Sequence, residues 1–436
     1  MMKKIPLMWK ILTGLVLGIL WGLIALSIGL EKFTYDWIKP WGTIFINLLK
    51  LIAVPLVFVS LVVGISTISE ISRLTRIGLR TIALFLTTSL IAVLIGLFLV
   101  HIINPGSAFS EEKQTELKQK YYQDTNPKEK PAGTQQEKSP LQLLVDMVPD
   151  NIIQAASDNT RMLQVIFFAI IFAVSLVLLP HGKVSVVKYF FAGLNEVIMK
   201  LIDIIMVTAP FGVFALISSL VVDFSGDVDL FAALGLYSIT YITGMFLLIL
   251  LFYPLVTGLF AGTGILGFMR AILPAQMVAF TTSSSAATLP VTKEQVENEL
   301  GVSQKISGFV LPIGVTINMD GTSCYLAIAV VFVAQVFGIP LDLVDQLTIL
   351  LMALLVSIGA PGIPSGSIIM LTAIMASVDL PAAGLALIIG VDRPLDMLRT
   401  VVNITGDSTV AVLVAKAEGE LKPQSTNAFV STRKKD

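Results

Sequence analysis

The chain has 436 residues, of which 55% are hydrophobic and only 14% are Asp, Glu, Lys or Arg, against about 25% charged residues in an ordinary soluble domain. With a mean hydropathy of +0.86, a soluble fold of this length could not hide its apolar surface, and the solvent it implies is lipid. The net charge of −1, the two histidines and the single cysteine exclude a basic nucleic-acid surface and an intrachain disulfide framework, and leave little room for a histidine-based zinc site. The expectation is an all-α, polytopic integral membrane protein whose few buried charges mark its work.

A spanning helix needs roughly 20 apolar residues. Residues 11–30, 51–69, 81–100, 162–180 and 204–222 carry no charged side chain, and 230–269 is uncharged for long enough to hold a tilted helix and the start of the next element. The first span is not read as a cleaved leader, because it is too long and no A-x-A site closes it. Lys3, Lys4 and Lys10, then Arg73, Arg76 and Arg80, then His181, Lys183 and Lys188, and finally Arg433, Lys434 and Lys435 flank alternate spans. The facing loops at 223–229 and 340–346 are acidic and lack Lys and Arg. The positive-inside rule therefore predicts both termini in the cytoplasm. Eight spans satisfy that result if two further segments are re-entrant. The polar, Pro-punctuated run 104–140 then reads as an extracellular flexible loop.

After Arg270 the apolar runs are interrupted at 281–292 (TTSSSAATLPVT), 312–322 (PIGVTINMDGT), 357–367 (SIGAPGIPSGS) and 392–407 (DRPLDMLRTVVNITGD). Lipid cannot hydrogen-bond an open backbone, so such breaks imply a protein-lined cavity. Their order is one pair followed by a second like it, the pattern that points to a secondary transporter's binding site. In the last helix Asp392, Asp396, Arg399, Thr400, Asn403 and Asp407 recur every three or four residues and form one stripe. Each lone charge at the bilayer centre costs about 2.5–3.5 kcal/mol on insertion scales, and a structural Asp–Arg network would not also need the neighbouring broken backbones. Arg399 offers a planar fork for a carboxylate, and Asp396 suits an ammonium group. Ser283, Ser284 and Ser285 add hydroxyl and backbone donors at the first break. Asp320 and Asp407, with Asn318, Asn403, Thr88 and freed carbonyls, make an oxygen-only environment suited to a hard cation such as sodium. Sodium is thus expected as a co-transported ligand, with no cofactor.

NMDGT (318–322), SSSAATLPVT (283–292), the GIP-containing break (362–364) and D-x-x-R-T-x-x-N-x-x-G-D (396–407) together resemble the glutamate transporter family, the dicarboxylate/amino acid:cation symporters. The likeness is dense from about 204 to 418 and also reaches Thr88 and Ser89. It implies a homotrimer in the cell membrane, inverted repeats, eight spans with two re-entrant hairpins, and an elevator movement. The implied division is 1–75 and 141–225 as scaffold, 76–103 and 226–418 as the mobile transport part, and 419–436 as a cytoplasmic tail. By matched position, Arg399 would hold the side-chain carboxylate of an acidic amino acid and Asp396 its amino group. Thr400, Asn403, Thr322, Ser284, Ser285, Ile363 and Ser367 would hold the rest. One sodium would lie on Asp407 with Gly314, Asn318 and Asn403, and another on Asp320, Asn318, Thr88, Ser89 and the Phe85 carbonyl. A third would use Thr316, Met319, Ser357, Ile358 and Ala360.

The C4-dicarboxylate branch usually lacks the Asp matching Asp396, and neutral amino acid branches replace the Arg matching Arg399; both residues are present here. Leu326 stands where mammalian members carry a proton-bearing Glu, so coupling by that route is not expected. Met397 stands where mammalian members carry a second Arg. Arg393, one turn earlier, is expected to take its place beside Asp396. Cys324 reads as a small packing residue, His101 as an interface residue, and Pro394 as lying near a helix start. Within the transporter class the alternative is a proton- or sodium-coupled carrier of C4-dicarboxylates or neutral amino acids; outside it, Tyr35-Asp36 and Gly406-Asp407 faintly resemble the paired motifs of an intramembrane aspartyl protease, and a passive channel is the third alternative.

Overall fold

The structure is a computed structural model that describes residues 7–71, 75–109, 114–115, 145, 147–158, 161–223, 228–358 and 366–422. The described chain is helical, with one isolated antiparallel bridge between Val302 and Leu421. The long elements are α1 (Leu7–Ile28), α2 (Lys39–Ile71), α3 (Thr75–Ile103), α4 (Met162–Leu178), α5 (His181–Val207), α6 (Ala209–Asp223) and α7 (Val228–Phe246). They continue as α8 (Ile265–Thr282), α9 (Ser285–Asn298), α10 (Gln304–Ile317), α11 (Asp320–Val336), α12 (Leu343–Ser357), α13 (Gly366–Ser377) and α14 (Gly384–Ala417). Among the described residues, six helices are long and apolar enough to cross a membrane, or up to seven if each bent pair is one span. The chain is a multi-pass integral membrane protein.

Packing divides the helices into two groups. In one, α1 packs along α6, and α2 packs on α4, α5 and α6. In the other, α14 is surrounded by α3, α7, α8, α9, α10 and α11, while α11 also packs on α3 and α12. The groups meet where α13 lies on α2 and α4, and where α14 touches α1 and α6. At that seam a Cβ on Gly390 of α14 would come within 2.7 Å of Leu15 and 3.0 Å of Ile217.

The α1–α6 contact rests on small residues. Gly14, Gly18 and Gly22 recur every fourth residue and face α6 directly. A Cβ on Gly14 would strike the Pro210 carbonyl, one on Gly18 would lie 2.8 Å from the Phe214 carbonyl, and one on Gly22 would lie 2.6 Å from Val221 Cβ. Within lipid, close backbone approach of this kind replaces the hydrophobic drive as the source of helix association. Cys324 is buried, and a Cβ on Gly96 of α3 would lie 2.8 Å from its carbonyl and 3.2 Å from its Sγ, the tight slot of a packing residue.

The uncharged stretch 204–222 is not one element. It takes in the last turn of α5 and nearly all of α6, which bend by 51° at Thr208. Pro210 explains the bend, because it cannot donate to the preceding turn, and the Thr208 hydroxyl donates instead to the Ile205 carbonyl at 2.7 Å. Pro394 also departs from expectation: it lies inside α14, which starts at Gly384. The apolar run GLALIIGV ahead of it already forms two turns of the same helix. The stretch 230–269 divides as expected, at the left-handed Gly262 (φ +74°) before α8. Most of the predicted loop at 104–140 lies outside the described residues. Its start is tied to α11, where the Gln335 side chain accepts from Gly106 N at 3.1 Å and donates to the Val100 carbonyl at 3.0 Å.

Candidate functional site

Burial singles out two segments. The most apolar 18 residues of Gln304–Val336 are entirely buried and those of Pro394–Ala417 are 83% buried, whereas the other membrane-length helices reach only 33–50%. These two segments carry the NMDGT break and the charged stripe, so the polar residues face protein rather than acyl chains.

The break itself is two residues long. Asn318 (φ −102°, ψ 88°) and Met319 (φ −112°, ψ 56°) leave helical geometry between α10 and α11. The freed backbone is answered from α14: Gly321 N donates to Asn403 Oδ1 at 2.8 Å, and Asn403 Nδ2 donates to Met319 Sδ at 3.2 Å. The approach is close enough that a Cβ on Gly321 would lie 2.6 Å from the Arg399 carbonyl.

Around the break lies one connected set of oxygens. Ser89 Oγ donates to Asp320 Oδ1 at 2.6 Å, and Thr88 Oγ1 lies 3.3 Å from the same oxygen, 3.2 Å from Asn318 Oδ1 and 3.1 Å from the Phe85 carbonyl. Asn318 Nδ2 donates to Asp407 Oδ1 at 3.0 Å. The Asp407 carboxyl is pressed against Gly314, where a Cβ would lie 2.6 Å from its Cγ. Asp320, Asn318 and Asp407 are all at most 1% exposed. Among the described residues there is no cluster of three or more His, Cys, Asp or Glu; hydroxyl, amide, carbonyl and carboxylate oxygens are hard-cation donors.

One turn along α14, Arg399 and Asp396 form a buried ion pair, 2% and 5% exposed. Arg399 Nε and Nη2 both donate to Asp396 Oδ1, at 3.0 and 2.5 Å, and Nη2 also lies 3.4 Å from Asp392 Oδ1. The guanidinium stacks over the Tyr325 ring with Cζ 4.2 Å from the centroid. The Thr400 hydroxyl donates to the Asp396 carbonyl at 3.1 Å. Arg399 Nη1, Ser283 Oγ and Ser367 Oγ are buried with no hydrogen-bond partner.

The first break is a tight hairpin tip. Ser283 closes α8 in the left-handed region (φ +50°), and Ser284 caps α9 by accepting from Ala287 N at 3.2 Å. Ser285 follows, buried at 3% exposure. The α8–α9 hairpin packs on α14, with Gln276 Nε2 donating to Thr405 Oγ1 at 3.0 Å.

Of the remaining expected residues, Thr322 and Ser357 are buried, and the Thr316 hydroxyl turns back to its own Ile313 carbonyl at 2.9 Å. The Ile358 carbonyl faces α2, 3.0 Å from where a Cβ of Gly64 would be. Ile363 and Ala360 lie outside the described residues, as does the Arg393 side chain. Leu326 is buried in α11. Three aromatics were not foreseen: Tyr325 under Arg399, Tyr241, whose hydroxyl donates to the Leu395 carbonyl at 3.0 Å, and Tyr253, whose hydroxyl donates to Asp320 Oδ2 at 2.8 Å. A tyrosine inside an apolar span carries little signal, because its ring alone explains its presence there.

Broken helices enclosing buried charges and an oxygen network are the pattern of a secondary transporter's binding site, and the family that the chain matches is one of transporters, not of enzymes. The model of the sodium:dicarboxylate symporter family matches residues 7–417, and the chain belongs to that family. It is 34% identical over 430 residues to the proton/sodium-glutamate symport protein of Geobacillus stearothermophilus, covering 99% of each chain. It is 32% identical over 438 residues to the proton/glutamate-aspartate symporter of Escherichia coli (98% of this chain, 96% of the other). It is also 32% identical over 429 residues to the C4-dicarboxylate transport protein of Bacillus subtilis (98% and 97%).

Proposed function

We propose that the chain is a symporter that couples sodium influx to uptake of an acidic amino acid, aspartate or glutamate. The observation that carries this reading is the Arg399–Asp396 pair: two opposite charges, buried side by side on one helix face, with one guanidinium nitrogen still bare. Overall identity does not choose the substrate, since glutamate and C4-dicarboxylate relatives lie at 34% and 32%. The pair does. A zwitterion with an acidic side chain gives its carboxylate to Arg399 and its ammonium to Asp396, so each charge exchanges one partner for another. A dicarboxylate without an amine takes Arg399 but offers Asp396 no cation in exchange.

The unpartnered donors Arg399 Nη1, Ser283 Oγ and Ser367 Oγ suit the remaining carboxylate oxygens. Thr322, Thr400, Asn403, Ser284, Ser285, Ser367 and Ile363 complete the pocket in this reading. Sodium is assigned to the connected oxygens: one ion on Asp407 with Gly314, Asn318 and Asn403, and one on Asp320 with Asn318, Thr88, Ser89 and Phe85. A third is assigned to Met319, Thr316, Ser357, Ile358 and Ala360. Two carboxylates beyond the Arg399 pair make cation entry favourable before an anionic substrate arrives. The α1, α2, α4, α5 and α6 group is proposed as the scaffold of a homotrimer, and the group around α14 as the part that moves, with both termini cytoplasmic.

The test is binding of L-aspartate and L-glutamate to the purified chain by calorimetry, in sodium and in choline, with succinate and L-serine as competitors. The expected result is sodium-dependent binding that succinate and serine displace poorly. Succinate competing as well as aspartate overturns the assignment of Asp396 to an amine.

A further inference from the structure

Tyr253 has no part in the ligand sets above, yet it meets the most enclosed of them. We propose that Tyr253 is a positioning residue that fixes the Asp320 carboxylate and thereby sets the affinity and cation selectivity of the sodium site built on it. This rests on the sodium reading just given.

The Asp320 carboxylate is engaged on both oxygens. Oδ1 accepts from Ser89 and lies beside Thr88, on the side where Asn318 Oδ1 and the Phe85 carbonyl gather. Oδ2 accepts from the Tyr253 hydroxyl at 2.8 Å. Ser89 and Tyr253 each donate a hydroxyl proton to one carboxylate oxygen, so in this arrangement Asp320 is the acceptor. A carboxylate held at one oxygen only can rotate about its last bond. The Tyr253 hydroxyl pins the second oxygen and leaves Oδ1 aimed at the other donors. Discrimination among hard cations depends on how rigidly the ligand oxygens hold their spacing.

Two further observations place the contact where the local structure is irregular and close-packed. Tyr253 begins a single α-turn (Tyr253–Val256) between two π-helical turns, Leu247–Phe252 and Thr257–Ala261. Each π turn widens the helix and shifts which side chains face inward, and such turns occur frequently at functional sites. On the opposite side α14 leaves a gap at Gly406: a Cβ there would lie 2.7 Å from Asp320 Oδ2 and 3.1 Å from the Tyr253 hydroxyl. The phenol and the carboxylate thus meet across a glycine.

The experiment is Tyr253→Phe in the full chain, reconstituted in proteoliposomes, with uptake of labelled aspartate measured against sodium concentration. Losing one hydrogen bond to a charged group raises the half-saturating sodium concentration by about tenfold or more. At saturating sodium the KM for aspartate stays within about twofold of the parent, because Tyr253 touches no substrate. The preference for sodium over lithium narrows. A half-saturating sodium concentration equal to the parent's overturns the proposal, and so does an equal shift in the aspartate KM at saturating sodium. If the parent itself shows no sodium-driven uptake, it is the functional reading that has failed. Should Tyr253→Phe not survive extraction, the same sodium titration is run on uptake by intact cells that express it: a raised sodium requirement supports the proposal, and an unchanged one overturns it.

Discussion

Asp396→Asn separates amine recognition from mere structure. In the parent, Asp396 Oδ1 accepts both Nε and Nη2 of an Arg399 that is only 2% exposed, so solvent screening does not dilute the pair. Truncating one partner of a buried, hydrogen-bonded charge pair costs about 2–5 kcal/mol, equivalent to roughly 30- to several-thousand-fold in a binding constant. Asparagine keeps the shape and one acceptor oxygen, which places the expected loss for aspartate near the lower end, about a hundredfold. Succinate behaves differently. It has no amine to lose, and the substitution frees Arg399 from its strongest competitor at 2.5 Å. Its affinity should change by less than about tenfold and its standing relative to aspartate should rise. The assay is calorimetric competition in saturating sodium. Equal losses for aspartate and succinate would refute the reasoning, because they would mean that Asp396 only holds Arg399 in place.

Other outcomes follow from the same geometry. Arg399→Ala should weaken aspartate and glutamate by roughly a hundredfold or more while leaving serine almost untouched, read by competition binding. Asp407→Asn, which removes the charge beside Asn318 Nδ2, should raise the sodium requirement of binding; an unchanged sodium titration would exclude Asp407 as a ligand. Gly18→Leu should disrupt the α1–α6 contact, since even a Cβ lies 2.8 Å from the Phe214 carbonyl, and overpacking of this kind costs about 1–3 kcal/mol or more. Its readout is a lowered melting temperature in detergent with unchanged site chemistry. Glu418→Gln should do little. Its partner Arg80 is 31% exposed at the side chain, and such solvent-facing pairs contribute about 0–1 kcal/mol.

The site was more legible than the fold. Charged residues in a span are rare enough that the stripe from Asp392 to Asp407 stands out, and helical periodicity alone puts it on one face. The break at Asn318–Met319 was visible because NMDGT interrupts two apolar runs. The boundary at Gly262 was visible because glycine is the residue that adopts φ near +74° without cost. Composition gave no warning that 204–222 is bent, since Thr208-Ala209-Pro210 carries no charge and the break comes from the missing N–H of Pro210. Pro394 misled in the opposite direction, because a proline after charged residues resembles a helix start. The Gly14–Gly18–Gly22 stripe has a four-residue spacing that could have been read, but its partner α6 lies some two hundred residues away in sequence. Tyr253 was hidden because its hydroxyl matters only once Asp320, Ser89 and Gly406 are brought around it.

The central claim is that buried fixed charges exchange partners with a travelling zwitterion and its alkali cation. It is tested most directly by uptake of labelled L-aspartate and L-glutamate into proteoliposomes under an inward sodium gradient, a proton gradient, or neither. Saturable accumulation driven by the sodium gradient alone, and abolished by Asp396→Ala, is the predicted result. Uptake that follows the proton gradient without sodium, or flux that neither saturates nor accumulates, would contradict it.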